Sequence, residues 1–152
     1  MKLENYDFTI SGAGLVGSLL AFALDKIGYR VCLIEKSSFE SIKDKSDNFY
    51  PLSLNYRSKM ILEKLGLWDQ VGKLAHPINL LTIMYRDNLS KIKLASKDVD
   101  LENLGFVVDR NKLLQVYRKS INKHFNGDVK INSQLQSIER QKKCLVLSLN
   151  SQ

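Results

Sequence analysis

An α/β fold is predicted by three features of the first 35 residues. Residues 6–11 form a short run rich in β-branched and aromatic side chains, followed at once by glycines. Apolar residues then recur at helical spacing, Leu15, Leu19, Phe22, Ala23 and Ile27, until Gly28 stops them. Val31-Cys32-Leu33-Ile34 is continuously apolar, as expected of a strand covered on both faces in a parallel sheet. Strand, glycine turn, helix and strand together spell a βαβ unit.

The later elements follow in order. Residues 37–50 are polar and read as a loop. Ser53 is placed to cap a helix running to about Leu65, with Met60, Ile61 and Leu65 as its apolar side and Gly66 as its break. Residues 67–74 read as a second short helix, in which Trp68 is a packing residue. Pro77 opens a β-prone stretch, with a strand over 78–85, a shorter one over 92–94 and an acidic, irregular segment over 96–104. Residues 106–108 form a brief strand, and Asp109 is the N-cap of a helix over 110–125. Asn126-Gly127-Asp128 is a turn. A strand over 129–131 precedes a hairpin formed by 134–140 and 144–149, turning across Gln141-Lys142-Lys143.

Composition narrows the class. The 152 residues suit one domain, and 44% hydrophobic with 26% charged residues excludes a disordered tail, a collagen-like repeat and a disulfide-stapled mini-protein. The net charge of +7 is uneven: residues 1–102 carry 14 basic and 13 acidic side chains, residues 103–152 carry 9 and 3. Such a basic third suits phosphate, nucleic acid or anionic lipid. A nucleic-acid module would interleave its basic residues with aromatics or carry a recognition motif, and the sequence has neither, so no nucleic-acid partner is expected. Lys112, Lys119 and Lys123 fall opposite Leu113, Tyr117 and Ile121 and read as a solvated helix face.

Residues 8–24 are uncharged but short for a bilayer span of about 20 residues. They are flanked by Asp7 and Asp25 and lack the positive start of an export signal, so a targeting segment is rejected. Cys32 and Cys144 both sit in apolar runs and read as buried free thiols in a reducing, cytoplasmic compartment. Neither neighbours His76 or His124, so no metal site is expected. No nucleophile–base motif is present, and no catalytic residue is assigned.

Chemistry enters through Gly12-Ala13-Gly14-Leu15-Val16-Gly17, which fits G-x-G-x-x-G between a strand and a helix. In that pattern the first glycine permits the tight turn, the second lets backbone approach a pyrophosphate, and the third lets helix and strand pack closely. The helix N-terminus supplies free N–H groups and a positive dipole end for phosphates. Glu35 ends the second strand at the expected distance and can accept hydrogen bonds from a ribose diol. Its charge would repel a 2′-phosphate, which disfavours NADP at this site. The fingerprint alone does not choose between FAD and NAD.

Residues 10–17, with Val31-Cys32-Leu33-Ile34-Glu35-Lys36, resemble the N-terminus of flavoprotein monooxygenases. Leu52-Ser53-Leu54, the segment Ile61-Leu62-Glu63-Lys64-Leu65-Gly66-Leu67-Trp68, Ala75-His76-Pro77-Ile78 and Leu104-Gly105-Phe106-Val107-Val108 resemble a narrower group, the aromatic hydroxylases of ubiquinone biosynthesis. The resemblance implies a Rossmann-like, para-hydroxybenzoate-hydroxylase type of FAD-binding domain over residues 1–152, with 78–104 as a β excursion that begins a substrate domain. It implies FAD as cofactor, NAD(P)H as reductant and O2 as co-substrate. It places the cofactor on Gly12, Ala13, Gly14, Val16, Gly17, Glu35 and Lys36, and on Arg110, with Gln115 as a weaker candidate. Because those enzymes act on lipid-tailed substrates, it also allows a peripheral contact with the inner face of a membrane.

Two departures stand out. Asn48 occupies the place where the family usually carries an arginine. The chain is also truncated before the second half of that fold, lacking its Gly-Ala-Asp-Gly and later Gly-Asp motifs. The expectation is an N-terminal fragment, either inactive alone or completed by a companion chain. Another FAD- or NAD(P)-dependent oxidoreductase of the same superfamily is the alternative.

Overall fold

The computed structural model describes residues 4–39, 49–84 and 91–151. Asn48 and most of the polar loop after Phe39 lie outside the described residues. The chain divides into two compact units, one from residues 1–47 and 114–152, the other from residues 48–113. The second unit takes in more than the 78–104 excursion.

The first unit is built on strand β1 (Phe8–Ser11), helix α1 (Leu15–Lys26) and strand β2 (Val31–Ile34). β1 and β2 run parallel with Phe8 opposite Val31, and β2 is joined on its other side by β8 (Asp128–Lys130), with Cys32 opposite Asp128. All four β2 side chains are buried, which is why this run carries no polar residue. Val31, Leu33 and Ile34 each contribute about 1.5–3 kcal/mol when fully buried. The centre of a three-stranded parallel sheet is thus the most apolar stretch of the unit. Antiparallel strands β9 (Ser133–Arg140) and β10 (Leu145–Ser151) complete it as a hairpin.

Gly17 decides how closely α1 lies on β1. A Cβ built there would fall 1.9 Å from the Gly12 carbonyl oxygen and 3.3 Å from Ile10 Cγ2. No side chain fits that gap. At the far end of α1, Gly28 donates to the Asp25 carbonyl and the chain turns into β2. The Asp25 carboxylate accepts from both the backbone and side-chain amides of Asn126, tying the end of α1 to the turn before β8.

The second unit centres on strand β7 (Gly105–Asp109), flanked antiparallel by β3 (Pro51–Leu54) and β4 (His76–Ile78). Helices α2 (Tyr56–Leu65) and α3 (Trp68–Val71) lie between β3 and β4 in sequence, and a separate hairpin pairs β5 (Leu80–Met84) with β6 (Lys91–Ala95). Trp68 meets Phe106 edge-on at 4.8 Å. The Lys59 ammonium lies 5.6 Å from the Tyr56 and Trp68 rings and 5.7 Å from Phe106, while pairing with Glu63 at 3.5 Å. This half-enclosed cation joins α2, α3 and β7 through ring faces.

Several expectations are corrected. Ser53 is a strand residue opposite Val107, so it cannot cap α2; Asn55 does so, accepting from the Ser58 N–H at 2.9 Å. Met60 and Ile61 are exposed, and Leu62 is the buried residue of that helix. The strand expected over 78–85 is two strands broken at Asn79, whose carbonyl accepts from Ser96. Cys144 is exposed because it stands at the hairpin turn, where its carbonyl accepts from the Gln141 N–H; only Cys32 is buried. Among the described residues, no helix is long and apolar enough to cross a membrane.

Asp109 ends β7 and caps α4 (Arg110–His124), as its sequence position implies. One carboxylate oxygen accepts from the N–H groups of Asn111 and Lys112, the other from Tyr50, all at 2.9 Å. These bonds, led by that from Lys112, hold its carboxyl below the usual value of 3.8. Its folded pKa is lowered, so its contribution is complete above the unfolded value and is lost as pH falls through the folded one. Asp109→Ala should therefore lose about 1–2 kcal/mol at neutral pH, with the gap to wild type narrowing below pH 3.8 in urea titrations. Gly17→Ala should cost at least about 2 kcal/mol in the same assay, because backbone, not a movable side chain, blocks the added methyl.

Candidate dinucleotide-binding site

The glycine turn is set by backbone contacts. Gly12 takes φ +104°, a region that favours glycine, and its N–H donates to the Ile34 carbonyl at 2.7 Å. Ala13 is fully buried, so the turn folds inward there. The Ala13 carbonyl accepts from the Ser18 hydroxyl at 3.1 Å. Gly14 is the N-cap of α1 and brings no side chain to it, and no acidic residue lies in the first turn. The first-turn N–H groups therefore meet neither an intrahelical acceptor nor a capping side chain. A Cβ built on Gly14 meets nothing within 4 Å. Glycine is not required there for internal packing. The open space is where an outside group can approach backbone.

Glu35 stands at the end of β2 with its backbone clamped on both sides. Its N–H donates to the Lys130 carbonyl at 2.9 Å, and its carbonyl accepts from Ser133 at 3.0 Å. Its carboxylate then reaches across the turn. One oxygen accepts from the Ala13 N–H at 2.7 Å and the other from the Ser37 N–H at 3.0 Å. An ionised carboxylate has about four acceptor sites. Two remain for hydroxyl donors, so the residues present fit a dinucleotide: an uncapped helix start for phosphate, an open glycine, and an acid for a ribose diol.

The structure thus brings Gly12, Ala13, Gly14, Gly17 and Glu35 together. Val16 lies in the first turn of α1 with 81% of its surface exposed. Lys36 is exposed beside Glu35 in sequence. Arg110 belongs to the second unit, where its N–H donates to the Tyr50 carbonyl at 2.8 Å and its side chain is exposed; Gln115 is half-buried. Lys112, Lys119 and Lys123 are exposed, in keeping with a solvated face.

Sequence reasoning missed Arg118. This residue of α4 is only 7% exposed, and its guanidinium bonds the carbonyls of Phe39 at 3.3 Å and Ala13 at 3.4 Å. It lies 4.8 Å from the Phe39 ring centroid. Burial draws its pKa down, and the charge of Glu35 opposes that shift. The available signal was its spacing: Arg118 falls four residues after Leu114 and three before Ile121, inside the apolar stripe.

Elsewhere, the Tyr6 hydroxyl lies 2.7 Å from carboxylate oxygens of Glu4 and Asp128, and Lys130 pairs with Glu4 at 2.7 Å. Burial pushes the nearby Cys32 thiol up, away from thiolate chemistry. No cluster of three metal-ligating side chains occurs among the described residues.

Residues 5–144 match the family described as FAD binding domain. The chain is 32% identical over 141 residues to kynurenine 3-monooxygenase of Anopheles gambiae, covering 90% of this chain and 28% of that protein. It is 23% identical over 142 residues to 3-demethoxyubiquinol 3-hydroxylase of Escherichia coli K12, covering 92% and 36%. The crystal structure of p-nitrophenol 4-monooxygenase from Pseudomonas putida DLL-E4 superposes with a TM-score of 0.73 at 20% identity, over 95% of this chain and 36% of that one. The chain spans about a third of the length of these relatives. They are monooxygenases of several kinds, and the ubiquinone group is one among them. Matched over residues 5–144, this chain belongs to the FAD binding domain family.

Proposed function

We propose that the glycine turn, the start of α1 and Glu35 hold the adenosine-diphosphate half of FAD, and that the chain is the FAD-binding part of a monooxygenase that hydroxylates an aromatic ring. One observation carries the reading: the Glu35 carboxylate closes on the Ala13 N–H beside a helix start that no side chain caps. The aromatic substrate class is supported by the relatives named for p-nitrophenol and demethoxyubiquinol. Within that class, the ubiquinone-type hydroxylases are the finer assignment, on the segment from Ile61 to Trp68.

When bound, FAD supplies the redox chemistry, with NAD(P)H as the electron donor and O2 as the oxygen source. The chain's own groups bind and orient it. The N–H groups of the first turn of α1 donate to pyrophosphate oxygens, where the positive end of the helix dipole favours negative charge. Gly14 leaves the backbone bare so that phosphate can come close. Glu35 accepts from the ribose hydroxyls and repels a 2′-phosphate. Lys36 adds an exposed cation near that edge, and Arg110 is retained as a flavin contact on the family resemblance alone.

A thermal melt of the chain with and without FAD tests the reading. At FAD about 100-fold above Kd, binding adds about 2.7 kcal/mol, a rise of about 5–10 °C for a chain of this size. Glu35→Ala should abolish most of that rise, since it removes the diol acceptor and frees the Ala13 N–H. Gly14→Ala should melt within about 0.5 kcal/mol of wild type yet lose the FAD response, because its methyl fills only the open approach. An unmoved wild-type melt would refute FAD binding by this chain.

A further inference from the structure

Arg118 is a buried charge that the nucleotide contacts above do not use. A buried guanidinium is costly unless it is well paired, and an apolar residue of similar volume often serves stability as well or better. The pairing here is incomplete. Among the described residues, one of its five N–H donors reaches the Phe39 carbonyl at 3.3 Å and one the Ala13 carbonyl at 3.4 Å, both long, while Nε has no partner there. The Phe39 ring, 4.8 Å away, is its other neighbour; apolar packing alone does not account for an arginine at this place.

What the guanidinium touches does account for it. Ala13 lies inside the glycine turn, and Phe39 lies just past Glu35. Glu35 itself bonds both strips, through the N–H groups of Ala13 and Ser37. We infer that Arg118 is a positioning residue for the dinucleotide site, its planar fork tying the glycine turn to residues 36–39 and holding Glu35 between them. The inference rests on the nucleotide reading above.

A planar trans peptide gives the mechanism. The carbonyl of Ala13 and the N–H of Gly14 share one peptide plane and point in opposite directions. Arg118 and the Ser18 hydroxyl both hold that carbonyl inward. The Gly14 N–H is thereby turned the other way, toward the open side of the turn, where a phosphate oxygen would meet it. The positive charge of Arg118 also lies within electrostatic reach of Glu35 and steadies it in its bonded position. A lysine offers one ammonium in place of a fork and cannot bridge both carbonyls in the same plane.

The test uses the full chain with ADP as probe, and the variants Arg118→Met, Arg118→Lys, Glu35→Gln and Arg118→Met with Glu35→Gln. Amide exchange at residues 13–17 and 36–39 is read beside affinity, with β9–β10 as internal reference. Arg118→Met should speed exchange in both strips, leave the reference unchanged and weaken ADP about tenfold. In the Glu35→Gln background the same change should cost about threefold or less, because contacting groups couple. Arg118→Lys should lose affinity like the methionine variant while melting as wild type, which decides the matter if Arg118→Met fails to fold. Equal losses of ADP affinity in both backgrounds, or a lysine variant with wild-type exchange and affinity, would overturn the inference. Should the wild-type chain bind no ADP, the nucleotide reading fails. Exchange alone then decides: faster exchange in the variant supports the brace, and unchanged exchange overturns it.

Discussion

The hydrogen bond from the Ala13 N–H to Glu35 is the contact on which the first unit's site depends. It joins the loop after β1 to the residue after β2, so the parallel pairing of those strands and the shape of the turn are one constraint. The backbone of Glu35 is in turn held by Lys130 and Ser133, which extends the constraint to β8 and β9. An acid usually thought of as a ligand contact here also has an internal role. Its charge is satisfied by two N–H groups before any ligand arrives, which keeps it in place in a part-buried setting.

Gly12, Gly14 and Gly17 show that one motif contains three different physical demands. Gly12 answers to backbone conformation, with its positive φ. Gly17 answers to packing, since backbone occupies the place of its missing methyl. Gly14 answers to neither, because space around it is open. A residue that the fold does not need is the one whose identity points outward to a ligand. Arg118 is the converse case, a charged residue in a place where apolar packing alone would not call for one.

How much could be read from the sequence follows the range of the interactions involved. The βαβ unit was legible because its signals are local: apolar spacing in α1, the unbroken run of β2, and glycines between strand and helix. Asp109 was legible for the same reason, as its cap acts on residues two and three ahead. The sheet β3–β7–β4 was not, because Leu52 pairs with Val108 and Pro77 with Phe106 across long stretches of chain. That unseen pairing is what put Ser53 in a strand and passed the cap to Asn55. Arg118 escaped because a single charge in an apolar stripe gives no hint of which carbonyls it meets.

The order of the units along the chain has a consequence for how the protein assembles. Residues 48–113 form a unit from one continuous stretch, whereas the other unit is closed only when β8 pairs with β2, Cys32 beside Asp128. During synthesis, β1, α1 and β2 emerge before residues 35–127 and must wait for them before their sheet gains its third strand. Closing so long a loop is slow, and through that interval the apolar edge of β2 stands open to other chains.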